Sequence, residues 1–263
     1  GLDGGLNPMK NETAAYFRPK TISELEEILS GVQGEVNFLS GGDYNFASLD
    51  QSAPLVDLQS LGLDQIISDG TAVEIGALAT LEQIKEAFQG WDSLQEALSI
   101  EAGLNVRNSL SLANFLRTAD GRSPFLCVLL AFAPSIALLP SHQSMTLETY
   151  LASRQKKPTE FISALNLALP KGLAFEAIAR TPKDRPIICM AAAVDDLGNL
   201  RIACGGLQNS PQVVNISTEP QSAIDLVRQA YQQSDDAWAS AEYRQAMSQV
   251  LLNRLLQSLG LSN

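Results

Sequence analysis

The stretch VNFLSGGDYN at residues 36–45 decides the predicted fold. Its apolar start, Val36–Leu39, predicts a short strand, and a glycine pair at residues 41–42 follows that strand directly. Glycines at such a point let backbone N–H groups turn outward at positive φ, which forms a concavity that can hold an anion. An ordinary turn at the end of a strand is the alternative. The segment therefore predicts a strand that ends in a glycine turn and a candidate binding site.

The sequence on either side of this turn predicts mixed helix and sheet. Upstream, residues 22–29 carry apolar side chains at helical intervals, with capping-box spacing between Ser23 and Glu26. Downstream, short strands and helices follow, among them a helix capped by Thr80 and a buried strand at residues 135–139. They extend up to a charged stretch that ends at Pro158 and indicates a domain boundary. Three further strands are predicted after this boundary, at residues 161–169, 187–194 and 200–204. We expect a loose N-terminus over 1–15, a first domain over 16–153 with subdomains of about 16–52 and 53–153, and a second domain over 159–263.

Composition and charge exclude several classes of partner. The chain has 263 residues, of which 45% are apolar, and it carries 18 Lys and Arg against 29 Asp and Glu, for a net charge of −11. Nucleic acids and anionic membrane surfaces both need clustered cations, so we expect neither as a partner. No apolar run reaches the roughly 18 residues of a membrane span, and no signal-peptide core is present. We therefore expect a cytoplasmic protein.

The three cysteines and the single histidine argue against metal and hydrolase chemistry. Cys127, Cys189 and Cys204 are widely spaced, and each lies in an apolar run, which predicts buried thiols. His142 lies in a polar loop, and no nucleophile pattern surrounds it. We predict no metal site and no residue that transfers protons in catalysis.

Two other segments are candidate binding sites. Residues 105–114, NVRNSLSLAN, hold one arginine and three amide side chains, which can donate several hydrogen bonds to a polar ligand. The alternative is a connecting loop whose side chains bond their own backbone. Gly205 and Gly206 end a predicted strand, where they either admit a flat ligand or make a bend.

The order of these features resembles the FAD-binding, or medium, subunits of the molybdenum hydroxylases, which include the xanthine dehydrogenase and carbon monoxide dehydrogenase flavoproteins. That family has a first flavin loop A-G-G-T-D-L, in whose place this chain has residues 40–45. Its diagnostic stretch I-R-N-x-A-T-I-G-G-N corresponds to residues 106–115, and its G-G-v-x-x-x-P to residues 205–211. The Y-R that opens its last helix corresponds to residues 243–244. The resemblance covers about residues 16–256.

This resemblance implies an α+β fold of three parts. Two α/β-type subdomains of the PCMH/VAO-like kind would enclose FAD, and a C-terminal domain would have a small antiparallel sheet and helices. In the family, two glycine loops hold the FAD pyrophosphate through backbone N–H groups. The flavin passes electrons between an iron–sulfur small subunit and an external acceptor, while a separate molybdenum-cofactor large subunit carries out the hydroxylation. The cofactor-binding residues that follow for this chain are Ser40, Gly41, Gly42, Asp43, Tyr44, Asn45, Arg107, Asn108, Ser111, Ala113, Asn114, Arg122, Gly205 and Gly206.

Both cofactor loops depart from the family pattern. Asp43 replaces a threonine, and Ala113 and Asn114 replace two glycines, which places side chains where backbone approaches phosphate. Arg122 replaces an acid, either as a phosphate contact or as a surface charge. Three functions stay open: an FAD-carrying electron-transfer subunit, a relative without FAD that serves as a structural or assembly partner, and a binder of another nucleotide.

Overall fold

The computed structural model describes residues 14–41, 51–154, 160–217 and 222–261. Helices and strands are mixed along these ranges, as the sequence predicts. The helices are α1 (Ile22–Gly31), α2 (Leu81–Ala87), α3 (Asp92–Glu101), α4 (Leu104–Ser109), α5 (Leu112–Thr118), α6 (Pro124–Ala131), α7 (Leu147–Ser153), α8 (Ala223–Ala230) and α9 (Ala241–Ser258). The strands are β1 (Tyr16–Phe17), β2 (Asn37–Leu39), β3 (Leu55–Asp57), β4 (Ile66–Ser68), β5 (Ala72–Gly76), β6 (Ser135–Leu139), β7 (Ser144–Thr146), β8 (Phe161–Ala168), β9 (Gly172–Ile178), β10 (Ile188–Val194), β11 (Leu200–Gly205) and β12 (Gln212–Ile216).

The strands of the described residues form three sheets. The first is parallel, with the order β1-β3-β2, and it packs with α1. The second has the order β4-β5-β8-β6-β7, and the third has the order β12-β11-β10-β9; all neighbours in these two sheets are antiparallel. The predicted mixed fold, with a small antiparallel sheet near the C-terminus, is confirmed.

Three hydrophobic cores hold these sheets in place. One lies under the first sheet, a second surrounds α6, and a third lies between the last sheet and the helices α8 and α9. All eight residues of α6 are buried, because this helix packs against α3 on one side and against β10 and β11 on the other. A helix that is apolar on every face needs such an enclosed position. The helix α6 therefore joins the middle unit to the C-terminal sheet.

A partly buried acid, Glu101, fixes the start of α6. Ser123 is the N-cap, and its Oγ accepts a hydrogen bond from Leu126 N (3.0 Å). The same hydroxyl donates to Glu101 Oε2 (2.6 Å), which also accepts from Phe125 N (3.0 Å). Burial raises the pKa of Glu101 above its usual value, although the two hydrogen bonds oppose this shift. The carboxyl group thus satisfies two donors at the beginning of the most buried helix.

Two local predictions differ from the structure. Thr21, not Ser23, is the N-cap of α1, because Thr21 has extended backbone and its Oγ1 accepts from Glu24 N (3.1 Å). The predicted strand at residues 161–169 is present as β8, but it pairs with β5 and β6 of the second sheet. The domain limits 16–153 and 159–263 stay a prediction. Across the described ranges, we find no helix of the length and apolar character needed to cross a membrane.

Candidate functional site

The glycine turn after β2 touches the beginning of α5. Ser111 Oγ donates a hydrogen bond to Gly41 O (2.8 Å), and Ser111 is 1% exposed. Gly41 has a φ of 82°, a backbone conformation that glycine adopts without strain. The contact joins residues 70 positions apart, so the described parts of both predicted flavin loops lie side by side. Ser40, just before the turn, is also buried.

The rest of the predicted first flavin loop lies outside the described residues; it comprises Gly42, Asp43, Tyr44 and Asn45. Their assignment to the cofactor stays a prediction that derives from the sequence.

The beginning of α5 differs from a glycine loop. Most of the predicted polar segment 105–114 is helical, with α4 before and α5 after a short link. The N–H groups of residues 112–114 donate to Ala79 O (2.9 Å), Ala77 O (2.8 Å) and Ser111 Oγ (3.2 Å). Neither Ala113 nor Asn114 has positive φ. The first three N–H donors of α5 are therefore bonded within the protein, where a helix ordinarily leaves such donors unpaired.

A polar pair follows one turn further along α5. Asn114 is 4% exposed, and its Oδ1 accepts a hydrogen bond from Arg117 Nη2 (2.8 Å). This bond orients the amide, so its Nδ2 is the side-chain donor that remains. Arg117 itself is exposed. The sequence prediction did not include Arg117; the available signal was its position three residues after Asn114, on the same side of a helix.

Arg107 and Asn108 take different positions on α4. Arg107 Nε lies 2.5 Å from Glu82 Oε2, and its Nη1 donates to Ala102 O (2.6 Å). The side chain of Arg107 is 11% exposed, so this ion pair ties α4 to α2 in a largely dry setting. Asn108 is exposed on the surface of α4. Neither side chain bonds to Gly41 or Ser111 in the part of the chain that is described.

The predicted glycine pair at the end of β11 packs against another chain segment. Gly206 N donates to Gly121 O (2.7 Å), and a Cβ on Gly205 would lie 2.6 Å from Cys189 Sγ. Cys127 Sγ and Cys189 Sγ are 3.5 Å apart beside this glycine. Both glycines are buried, and their lack of a side chain lets two segments of this chain approach each other closely.

The three cysteines are buried free thiols, as the sequence predicts. Burial raises the pKa of the Cys204 thiol to about 12 and raises that of Cys127 as well. The sulfurs of Cys127 and Cys204 are therefore protonated and poor nucleophiles at neutral pH.

Arg122 points toward the C-terminal unit. Its Nε donates to Pro186 O (3.0 Å) and its Nη2 to Arg185 O (3.2 Å). The guanidinium lies 4.5 Å from the centre of the Trp238 ring, within the range of a cation–π contact. These contacts occupy the side chain that the sequence offered as a phosphate contact, and its role in binding stays a prediction.

Comparison with known proteins agrees with this fold. The sequence profile of the FAD binding domain in molybdopterin dehydrogenase matches residues 9–170. The uncharacterised protein YgfM of Escherichia coli K12 is 24% identical over 244 residues, which are 90% of this chain and 93% of YgfM. A reconstituted CO dehydrogenase from Oligotropha carboxidovorans superposes with a TM-score of 0.74 at 20% identity, over 95% of this chain and 98% of that one. Quinoline 2-oxidoreductase from Pseudomonas putida 86 gives a TM-score of 0.73 at 18% identity, over 94% and 97% of the two chains.

The two solved structures share the fold over nearly the whole chain, and the sequence profile covers more than half of it. The chain belongs to the family of FAD-binding domains of molybdopterin dehydrogenases.

Proposed function

We propose that this chain is the FAD-carrying subunit of a molybdopterin-dependent dehydrogenase and passes electrons between an iron–sulfur partner and an external acceptor. The observation that carries this proposal is the hydrogen bond from Ser111 Oγ to Gly41 O, because it brings together the two segments that correspond to the family's flavin loops. A molybdenum-cofactor large subunit and an iron–sulfur small subunit are the proposed partners.

The donors around this contact suit the diphosphate of FAD. The site offers a glycine at positive φ, held in place by the buried Ser111 hydroxyl, and a buried amide next to an arginine. Amide and guanidinium groups are both hydrogen-bond donors to phosphate oxygens. Gly41 and Asn114 would hold the diphosphate and Ser111 would fix the position of Gly41, while the bound FAD supplies the redox chemistry. This chain's own contribution is to bind the cofactor and fix its orientation.

A specific observation favours the second candidate, a structural or assembly subunit without FAD. The N–H groups of residues 112–114 are already bonded inside the protein, and the side chains of Ala113 and Asn114 stand where glycines would expose backbone. The third candidate, a binder of another nucleotide, loses support because the guanidinium of Arg122 is bonded to two carbonyl groups and stacked on Trp238.

Flavin retention tests the proposal. We would record the visible absorbance spectrum of the purified chain before and after incubation with excess FAD and desalting. Oxidised-flavin bands that survive desalting are the expected result. A colourless protein in both samples would refute the FAD function and favour the structural subunit.

A second measurement tests the electron-transfer part. The chain would be co-expressed with candidate large and small subunits, and the purified complex would be reduced with substrate under anaerobic conditions. We expect bleaching of the flavin bands. A complex whose flavin stays oxidised while its iron–sulfur bands bleach would contradict electron transfer through this subunit.

A further inference from the structure

We propose that Asn114 and Arg117 bind the diphosphate of FAD in this chain, and that these side chains replace the backbone N–H groups that two glycines would expose. The inference rests on the proposed function and assigns Arg117 as a binding residue at the same site. Three observations on α5 carry it: a continuous hydrogen-bonded path, an arginine that pairs with no acid among the described residues, and backbone donors that are already used.

The path runs along α5 from the glycine turn. Ser111 Oγ bonds Gly41 O (2.8 Å) and accepts from Asn114 N (3.2 Å). Asn114 Oδ1 then accepts from Arg117 Nη2 (2.8 Å). Residues at this three-residue spacing lie on neighbouring turns of one side of a helix. A ligand that meets the Gly41 turn is therefore within one or two helical turns of the amide and the guanidinium.

The charge of Arg117 is suited to a diphosphate. Within the described ranges, no carboxylate lies within 4.0 Å of this guanidinium, whereas Arg107 and Arg185 each pair with an acid. One bond to Asn114 uses one of the five N–H donors of Arg117. A planar guanidinium pairs readily with phosphate oxygens. In a chain with a net charge of −11, this local cation offsets the repulsion of an anionic ligand.

The other donors near this point are engaged elsewhere. The N–H groups of residues 112–114 bond Ala79 O, Ala77 O and Ser111 Oγ. The guanidinium of Arg122 bonds the carbonyl groups of Arg185 and Pro186. Asn114 is buried and oriented by Arg117, so little conformational entropy is lost when its Nδ2 meets a ligand. Side chains, not backbone, are thus the available donors of α5.

FAD affinity of arginine variants tests this assignment. The dissociation constant for FAD would be measured by flavin fluorescence for the full chain, Arg117→Met, Arg117→Lys and Arg254→Met. We expect Arg117→Met to weaken binding at least about tenfold, the cost of losing a charged hydrogen-bond donor, and Arg117→Lys to recover part of this loss. Arg254, exposed on α9 and 3.8 Å from Glu176, is the matched control for loss of one positive charge, and its variant should stay within about twofold of the parent. The affinity of the parent should also fall with added salt more steeply than that of Arg117→Met.

A second variant separates binding from folding. Asn114→Asp keeps the size of the side chain and gives Arg117 a carboxylate partner in the first turn of α5, which favours the helix. We expect its melting temperature to equal or exceed that of the parent while FAD affinity falls at least tenfold, because a carboxylate repels the diphosphate.

The possible outcomes are distinguishable. If the parent chain binds FAD and Arg117→Met and Asn114→Asp bind it equally well, the assignment of these two residues is wrong, whereas the proposed function stands. If the parent chain retains no FAD, the proposed function fails and this inference fails with it.

Discussion

The contact between Ser111 and Gly41 can be tested by replacing Ser111 with alanine. The hydroxyl makes two hydrogen bonds that alanine cannot make, one as the N-cap acceptor for Asn114 N and one as a donor to Gly41 O. Ser111 is 1% exposed, so water has little access to replace either bond. The substitution therefore removes a helix cap and the link between two segments of the candidate site.

The expected loss follows from these two bonds. Removing a serine N-cap costs about 1 kcal/mol of stability, and losing a hydrogen bond to a backbone carbonyl costs about 1 kcal/mol more. We thus expect Ser111→Ala to lower the free energy of unfolding by about 2 kcal/mol. For a chain of this size, that corresponds to a fall in melting temperature of about 4–8 °C.

Urea denaturation followed by circular dichroism measures this loss through the shift in midpoint at constant slope. Ser109→Ala is the matched control, because Ser109 is exposed and, within the described part of the chain, its hydroxyl bonds only Asn105 O (3.3 Å) and Val106 O (3.2 Å) of its own helix. We expect the control to change stability by less than about 0.5 kcal/mol. Equal stability of the two variants would refute the contact between Ser111 and Gly41 as a stabilising link.

Three further predictions concern the interior. Burial raises the pKa of Glu101 above the value of about 4.5 that it has in the unfolded chain, so the contribution of this carboxyl group to the free energy of unfolding falls as the pH rises above 4.5. Glu101→Gln should remove this fall. The prediction is wrong if the variant and the parent show the same dependence of melting temperature on pH between 4 and 8. Gly205→Ala should cost at least about 2 kcal/mol because its Cβ would overlap two buried cysteine sulfurs, whereas Gly90→Ala, with no atom within 4 Å, should be tolerated in the same urea assay. Arg244→Met should cost about 3–5 kcal/mol, since it leaves Asp236 without its fully buried partner; a loss below about 1 kcal/mol in thermal unfolding would argue against this ion pair as a structural element.

Local patterns in the sequence predicted much of the fold. The strand at residues 135–139 has the predicted limits, and Thr80 caps α2 as predicted. Both features depend on neighbouring residues alone, either on the period of the side chains or on a hydroxyl within three residues of an N–H group. The strands β9 and β12 were not predicted. They are held by their pairing with β10 and β11, which no short-range pattern reveals.

Prediction of the candidate site from the sequence is limited for the same reason. The sequence indicated Gly41 and Ser111 as members of two cofactor loops, and the structure brings these two residues together. It did not indicate Arg117, and it left the direction of Arg122 open. An arginine side chain is long and flexible, so its direction depends on carbonyl groups, aromatic rings and acids that distant segments supply.

What the sequence alone determined is the set of local elements, the acidic character of the chain and the order of motifs that places it in its family. Periodicity, capping and glycine turns act over a few residues, so they can be recognised without a structure. Only the tertiary structure decided which donors of α5 are already bonded, because their acceptors at Ala77 and Ala79 lie more than 30 residues away in the chain. It also decided that Arg122 faces the C-terminal unit while Arg117 lies beside Asn114. Long-range hydrogen bonds and packing, which fold the chain back on itself, are the physical origin of that difference.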